Sequence, residues 1–155
     1  MSSKVGAIPE GFRTVTPSIC VKGAAKAIEF YKRAFGAEEV MRLDAPDGSV
    51  MHAEVRFGDC IVMLGEECPD WGALAPLPNH CSGSLHLYVP DTDQAFERAT
   101  SAGCTVKMPP SNMFWGDRYA KVIDPFGHVW GLATHIEDVS PEECARRAAA
   151  WKPGG

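Results

Sequence analysis

Hydrophobic and polar residues recur at spacings that predict one structural unit in the first part of the chain. Apolar residues at helical spacing predict a helix from Gly23 to Phe35, and Gly36 follows directly, where helices commonly end. Alternation of apolar and polar residues predicts strands on both sides of this helix. They cover 13–21, 38–43, 50–57 and 60–65. The unit therefore has the order strand, helix and three strands, which we write βαβββ.

The same order returns after a segment rich in proline and glycine. A second helix is expected to begin at Asp91 or Thr92 and to end before Gly103. The other elements predicted here are strands at 84–89, 104–108, 118–124 and 128–135 and a loop at 109–116. The two units align at a constant offset of 68 residues, which matches Ile19 with Leu87. The sequence therefore predicts an internal duplication.

A separate helix is predicted near the end of the chain, at 141–151. Ser140 is a suitable N-cap, Pro141 suits the first helical position, and Glu143 lies three residues after the cap. The expected fold class is α+β. The expected organisation is a first βαβββ module at 12–66, a linker at 67–83, a second βαβββ module at 84–138, and a C-terminal helix and tail at 139–155.

Composition and charge argue against several classes of partner. The formal net charge is −5, and the basic residues are scattered, whereas binding to nucleic acid needs a concentrated basic face. No apolar run approaches the roughly 20 residues of a membrane span. The six cysteines include no Cys-X-X-Cys motif, and residues 1–11 lack the apolar core of a signal peptide. We therefore expect a cytoplasmic protein with reduced thiols that binds neither nucleic acid nor membrane.

Three runs of the sequence resemble a known family. They are TPSICVKGAAKAIEFYKRAFGAEEV, MHAEVRFGDCIVMLGEE and MPPSNMFWGDRYAKVIDPFGHVWGLATHIED. They are similar to the vicinal oxygen chelate superfamily, in its glyoxalase, bleomycin-resistance protein and dioxygenase branch, over residues 14–138. The resemblance implies two βαβββ modules that form half-barrels around a cavity, often across a homodimer interface. It implies no single activity, because the superfamily includes isomerases, dioxygenases, thiol transferases and drug-sequestering proteins.

The resemblance also implies where a metal would be held. In metal-using members the ligands come from the first and last strands of each module and are generally His, Gln or Glu. Those positions fall here on Thr16, Met63, Ser84 and Gly131. Hydroxyl groups are poor ligands for Zn or Ni, a thioether is soft, and glycine has no side chain. We therefore predict no cofactor and no metal at the family positions.

A shifted metal site is the alternative. His52, Glu54, His86 and His135 are suitable ligand types, and a divalent metal (Zn, Ni, Fe or Mn) would need three of them within about 2.0–2.2 Å of one ion. His86 and Glu54 are also candidate catalytic residues, because an imidazole and a carboxylate within hydrogen-bond reach can transfer a proton. The simpler interpretation is that all four are hydrogen-bonded residues of the cavity or its rim.

The predicted ligand-binding residues come from strand parity and from one aromatic loop. If the family positions face the cavity, residues two apart on the same strand face it too. The loop at 112–119 carries Met, Phe and Trp together, which suits stacking on a flat apolar ligand, or else plugging of the core or of a dimer seam. The predicted set is Thr16, Ser18, Met63, Ser84, His86, Tyr88, Met113, Phe114, Trp115, Tyr119 and His135.

Three functions remain open at this point. The first, which the missing ligands and the aromatic loop favour, is a bleomycin-resistance-like protein. It would bind a small, partly aromatic molecule in a cavity between the modules, without the usual metal ligands. The second is a metal-dependent lyase, isomerase or dioxygenase of the same superfamily that uses the shifted His/Glu site. The third is a protein–protein module that uses Trp115 for assembly.

Overall fold

The computed structural model describes residues 5–152, so the ends of the chain at 1–4 and 153–155, including the last residues of the predicted tail, lie outside the described part. The chain divides into two compact units, with the boundary between His80 and Cys81. Each unit has a four-stranded sheet and a helix in the order strand, helix and three strands. No helix among the described residues is long and apolar enough to span a membrane.

The first unit contains helix α1 and strands β1 to β4. Their bounds are β1 Ser18–Val21, α1 Ala24–Phe35, β2 Glu38–Asp44, β3 Val50–Phe57 and β4 Cys60–Glu66. The strand order in the sheet is β1-β4-β3-β2, with β1 parallel to β4 and the other neighbours antiparallel. Ala27, Ile28 and Tyr31 of α1 are fully buried, as are Val21 and Val55 of the sheet. The apolar stripe of the helix therefore packs as its spacing predicts.

The beginning of α1 is fixed by a side chain of the neighbouring strand, because Glu66 at the end of β4 pairs with Val21 at the end of β1. Gly23, the residue before the helix, has a left-handed backbone and offers no side chain to cap the first turn. The carboxylate of Glu66, at the end of β4, accepts hydrogen bonds from the backbone N–H groups of Gly23 at 2.6 Å and Ala24 at 2.8 Å. An anion is stabilised at a helix N-terminus by the unpaired N–H groups there. Strand and helix are thus joined by one side chain.

The second unit repeats this architecture and adds a terminal helix. Its elements are β5 Ser84–Tyr88, α2 Thr92–Ala102, β6 Thr105–Asn112, β7 Asp117–Ile123, β8 Val129–His135 and α3 Pro141–Ala150. The strand order is β5-β8-β7-β6, again with a parallel first pair. Ile19 pairs with Leu64 in the first sheet, and Leu87 pairs with Leu132 in the second. The predicted duplication is therefore confirmed at the level of strand register.

The turn between β7 and β8 is held by Asp124. Its Oδ1 accepts hydrogen bonds from the backbone N–H groups of Phe126 at 2.8 Å and His128 at 3.0 Å. Its Oδ2 accepts a hydrogen bond at 2.8 Å from Nε1 of Trp130, which is fully buried. One buried carboxylate thus shapes the turn and satisfies the polar atom of the largest core side chain.

Two element boundaries differ from the prediction. The first strand begins at Ser18 and not at residue 13, because the hydroxyl of Thr16 donates to the carbonyl of Arg13 at 2.8 Å and forms a turn there. The predicted loop at 109–116 is wrong over its first half, since β6 continues through Pro109 and Pro110 to residue 112. Proline is tolerated because β6 is an edge strand, and the pairing with β7 is irregular at this point.

The segment between the two modules is short of regular structure. It contains a 3₁₀ turn at Pro69–Trp71 and two isolated bridges, which pair Cys68 with Ala73 and Leu77 with His80. Trp71 is 87% exposed. The described part of this segment therefore buries little of its apolar surface.

Candidate functional site

One face of the second sheet is covered by helix α2, and the other carries polar and aromatic side chains. Ala120, Val122, Trp130 and Leu132 are fully buried on the helix side. Register places the opposite residues in rows across β5, β8 and β7. These rows are His86, Gly131 and Lys121, then Tyr88, Ala133 and Tyr119, and finally His135 opposite Asp117. We call this surface the aromatic face.

The centre of the aromatic face is a stack of two rings over a glycine. The rings of His86 and Tyr119 lie 5.6 Å apart and are nearly parallel, at 12°. A Cβ atom on Gly131 would lie 2.9 Å from Cε2 of Tyr119 and 3.0 Å from Nδ1 of His86. Glycine at this position therefore lets both rings lie against the sheet. Burial raises the pKa of Tyr119, so its hydroxyl stays protonated at neutral pH.

Asp117 organises one end of the aromatic face. Its carboxylate is 3% exposed, and its Oδ2 accepts hydrogen bonds from the hydroxyl of Tyr88 at 3.1 Å and from Nε1 of Trp115 at 3.0 Å. Its Oδ1 lies 2.9 Å from Nδ1 of His135. Burial alone would raise the pKa of Asp117, but hydrogen bonds from His135, Tyr88 and Trp115 outweigh it and lower the pKa. The carboxylate is thus held ionised.

His135 lies between two carboxylates. Its Nε2 is 2.8 Å from Oδ1 of Asp138, and its Nδ1 contacts Asp117. Hydrogen bonds to Asp138 and then to Asp117 raise the pKa of His135 above its ordinary value. The hydrogen bond to Asp117 likewise raises the pKa of Tyr88. Negative charge at this end of the face is therefore already matched by donors of the chain itself.

The aromatic loop joins this face through Trp115. The backbone N–H of Met113 donates to the carbonyl of Asp117 at 2.8 Å, which closes a tight turn over 113–117. The ring of Trp115 lies 5.8 Å from Tyr119 and 5.0 Å from Phe114. Phe114 in turn lies 5.7 Å from the ring of Trp151, beyond the end of α3. Of the predicted loop residues, Met113 is buried and the two rings are half-buried.

Gly116 fixes the loop against the chain that follows β8. It has φ of 101°, a left-handed backbone that favours glycine. Its carbonyl accepts hydrogen bonds from the N–H groups of Ile136 at 2.9 Å and Glu137 at 3.0 Å. A Cβ atom here would lie 2.1 Å from the carbonyl oxygen of Glu137. The position of Trp115 therefore depends on a glycine that no other residue can replace without moving the backbone.

The predicted candidates of the first unit lie on its sheet or beside it. Nε2 of His52 lies 3.6 Å from Oε1 of Glu54 on β3. Glu54 pairs with Met63 of β4, and Met63 pairs with Ser18 of β1. Thr16 precedes β1. His52 and Glu54 therefore belong to the first unit, and His86 and His135 belong to the second.

The residues at the family's metal positions do not fit a metal. The Thr16 hydroxyl donates to a backbone carbonyl, and Met63 offers a thioether. Ser84 is exposed and pairs with Val129, while the space beside Gly131 is taken by two rings. Elsewhere among residues 5–152, no three His, Cys, Asp or Glu side chains converge into a group suited to a metal.

Asp117, Asp138 and Lys121 were not among the predicted site residues. A signal for Asp117 was present, because the predicted hairpin around the Asp124 turn places it opposite His135. The signal for Lys121 was its parity with Tyr119, two residues earlier on the same strand. The predicted set therefore contains the ring-bearing residues of the aromatic face and lacks the charged residues Asp117, Asp138 and Lys121.

Comparison with known proteins agrees with this fold. Residues 13–132 match the family model described as the Glyoxalase/Bleomycin resistance protein/Dioxygenase superfamily. An uncharacterized protein of Mycobacterium tuberculosis is 40% identical over 133 residues, which cover 83% of this chain and 78% of that protein. A counterpart in Mycobacterium bovis is also 40% identical, covering 83% of this chain and 88% of that protein.

Solved structures are similar over most of the chain. TioX from Micromonospora sp. ML1 has a TM-score of 0.65 and 26% identity, covering 80% of this chain and 99% of its own. A glyoxalase/bleomycin resistance protein/dioxygenase from Nocardioides has a TM-score of 0.62 and 21% identity, covering 83% and 88%. The second similarity concerns the fold alone. On the matched family model and the two-module architecture, the chain belongs to the glyoxalase/bleomycin resistance protein/dioxygenase superfamily.

Proposed function

We propose that the chain binds a small, partly aromatic molecule against the aromatic face of its second module, without the metal ligands of other superfamily members. The observation that supports this is a continuous set of rings on that face. His86 lies 4.9 Å from Tyr88 and 5.6 Å from Tyr119, and Tyr119 lies 5.8 Å from Trp115. Tyr88 is 67% exposed, so the face presents ring surface for contact.

The polar contacts of these rings favour binding over simple core packing. Asp117 holds the polar ends of Tyr88 and Trp115, so both rings are oriented before a ligand arrives. Rings held in this way lose little conformational entropy when a flat molecule stacks on them. A ligand site of this kind is mainly apolar with a few placed polar groups. The His86 and Tyr119 side chains supply such groups beside Gly131.

A homodimer in the cytoplasm completes the proposal. Support for a second copy comes from β2, at the edge of the first sheet, and from its neighbour β3, where several apolar side chains are in contact with solvent. They are Val40 at 43%, Met41 at 41%, Leu43 at 52% and Met51 at 56% exposure. Exposed apolar side chains grouped in this way mark surfaces that contact another molecule.

The test uses a probe that is flat, apolar and uncharged, naphthalene-2-carboxamide. Isothermal titration calorimetry gives its Kd, and NMR of the Trp115 indole N–H locates the contact. We expect saturable binding that shifts this signal. Trp115→Leu should weaken binding about fivefold, because a stacked aromatic pair contributes about 1 kcal/mol beyond the area it buries.

The matched control is Trp71→Leu, the same substitution at a tryptophan of the linker that is 87% exposed. It should leave Kd unchanged. Equal weakening by both variants, or no saturable binding by the wild type, would exclude the aromatic face as the binding site. Metal analysis of the untagged protein is the second control, since a stoichiometric divalent metal would contradict a metal-free site.

A further inference from the structure

A lysine on the aromatic face has no partner of opposite charge. Lys121 is half-buried on β7, and among residues 5–152 no hydrogen-bond or ion-pair partner lies within reach of its ammonium group. Arg118, three residues earlier on the same strand, pairs with Asp93 on the opposite side of the sheet. A partly desolvated ammonium without a counter-ion is a favourable place for an anion.

The position of Lys121 relates it directly to the ring stack. Register places Lys121 and His86 on either side of Gly131, with all three on the same face of the sheet. Neighbouring strands lie about 4.8 Å apart, so the two side chains leave the sheet about 10 Å from each other. The Tyr119 hydroxyl and His86 Nδ1 both come within 3.1 Å of the point where a Gly131 Cβ would be. A cation and two hydrogen-bonding groups thus surround one small area.

We propose that the ligand is an organic anion, with a carboxylate or similar oxyanion bound by Lys121, His86 and Tyr119 and a flat apolar body stacked towards Trp115. This inference rests on the proposed function and assigns a chemical class to the same ligand. Lys121 supplies the charge, and the imidazole of His86 and the hydroxyl of Tyr119, whose rings lie nearly parallel, supply groups that can hydrogen-bond the oxyanion. The three groups occupy the area around Gly131, where a metal ligand of the family would otherwise project.

Charge on the rest of the face favours this orientation of the ligand. At the other end, Asp117 and Asp138 both contact His135, so an anion placed there would meet two carboxylates. The chain as a whole carries a net charge of −5, which repels anions in general. An anion is therefore held only where a local cation offsets this repulsion, and Lys121 provides that cation on the aromatic face.

The experiment compares two probes of the same shape, naphthalene-2-carboxylate and naphthalene-2-carboxamide, which differ in charge. We expect the wild type to bind the carboxylate about fivefold more tightly than the amide, as measured by calorimetry. Lys121→Met should remove this preference and change the Kd of the amide less than about twofold. Lys121→Arg should keep it, because the charge remains.

Lys107→Met is the matched control, since Lys107 lies on β6 of the same sheet, is exposed, and lies outside the rows of the aromatic face. It removes the same charge and should leave the preference intact. The anion site would be overturned if Lys107→Met and Lys121→Met lose the preference for the carboxylate equally, or if the wild type shows no such preference. If the amide still binds in that case, the proposed function stands. Absence of binding by both probes would overturn the two together.

Discussion

Replacing Asp117 should destabilise the second module by an amount that depends on which of its hydrogen bonds the new side chain keeps. In Asp117→Ala, the half-buried indole of Trp115 loses its acceptor, which costs about 1.5–3 kcal/mol for a bond to a charged group. Tyr88 is 67% exposed and can turn to water, and His135 keeps Asp138. These two contacts therefore add little to the loss. We therefore expect a total loss of about 3 kcal/mol.

Asp117→Asn should cost much less, about 1 kcal/mol. Its amide oxygen can accept from Trp115 and Tyr88, and its NH₂ group can donate to Nδ1 of His135 when that ring carries its proton on Nε2, facing Asp138. Asn has nearly the same volume as Asp, so the loss in Asp117→Asn reports the charge, and the further loss in Asp117→Ala reports the hydrogen bonds together with the lost side-chain volume.

Urea unfolding at pH 7, followed by far-UV circular dichroism, measures both variants against the wild type. NMR of the Trp115 indole N–H serves as a local readout, since this signal should move towards a solvent-exposed position in Asp117→Ala alone. If Asp117→Asn is as destabilised as Asp117→Ala, or if neither loses more than about 1 kcal/mol, the proposed role of the carboxylate is wrong.

Gly131→Ala should place a methyl group 2.9 Å from Cε2 of Tyr119, and because that ring is the mobile end of a side chain it should swing aside. We expect an unfolding free energy within about 1 kcal/mol of wild type and clear shifts of the Tyr119 ring signals by NMR. Gly83→Ala, with nothing within 4 Å, should leave those signals in place, and unshifted signals in Gly131→Ala would contradict the stack. Hydrogen bonds to two carboxylates, chiefly Asp138 and then Asp117, raise the pKa of His135 above 6.5. The stability that protonated His135 contributes is therefore complete below about pH 6.5 and is lost as the pH rises through the pKa of the folded state. Asp138→Asn should lower that pKa in an NMR titration of the His135 ring, and an ordinary pKa in the wild type would refute the pairing.

The duplicated architecture could be predicted because its signals are local. The helix predicted at 23–35 is observed at Ala24–Phe35, and the second helix begins after the expected cap, Asp91. The offset that matches Ile19 with Leu87 agrees with the structure, where Ile19 pairs with Leu64 and Leu87 pairs with Leu132. Hydrophobic periodicity and helix capping depend on residues that are near each other in the chain, so a single sequence is enough to predict them.

The arrangement around Asp117 could not be predicted in the same way. Its three donors come from β5, from the loop before β7 and from β8, and Tyr88 is 29 residues away in sequence. Contacts of this kind depend on tertiary packing, which leaves no periodic pattern. The strand through Pro109 and Pro110 was not predicted, because proline usually argues against a strand. Here β6 tolerates both prolines because it lies at the edge of the sheet.

These two prolines also affect how the protein behaves at high concentration. An edge strand presents free N–H and C=O groups that a strand from another chain can join, which is a common route to aggregation. Proline has no N–H, so β6 lacks that donor at two consecutive positions. The corresponding edge of the first sheet, β2 at Glu38–Asp44, contains no proline. The two copies of the module therefore differ at this edge, because β2 keeps the backbone N–H groups that β6 lacks at its two prolines and is the edge more open to pairing with a strand of another chain.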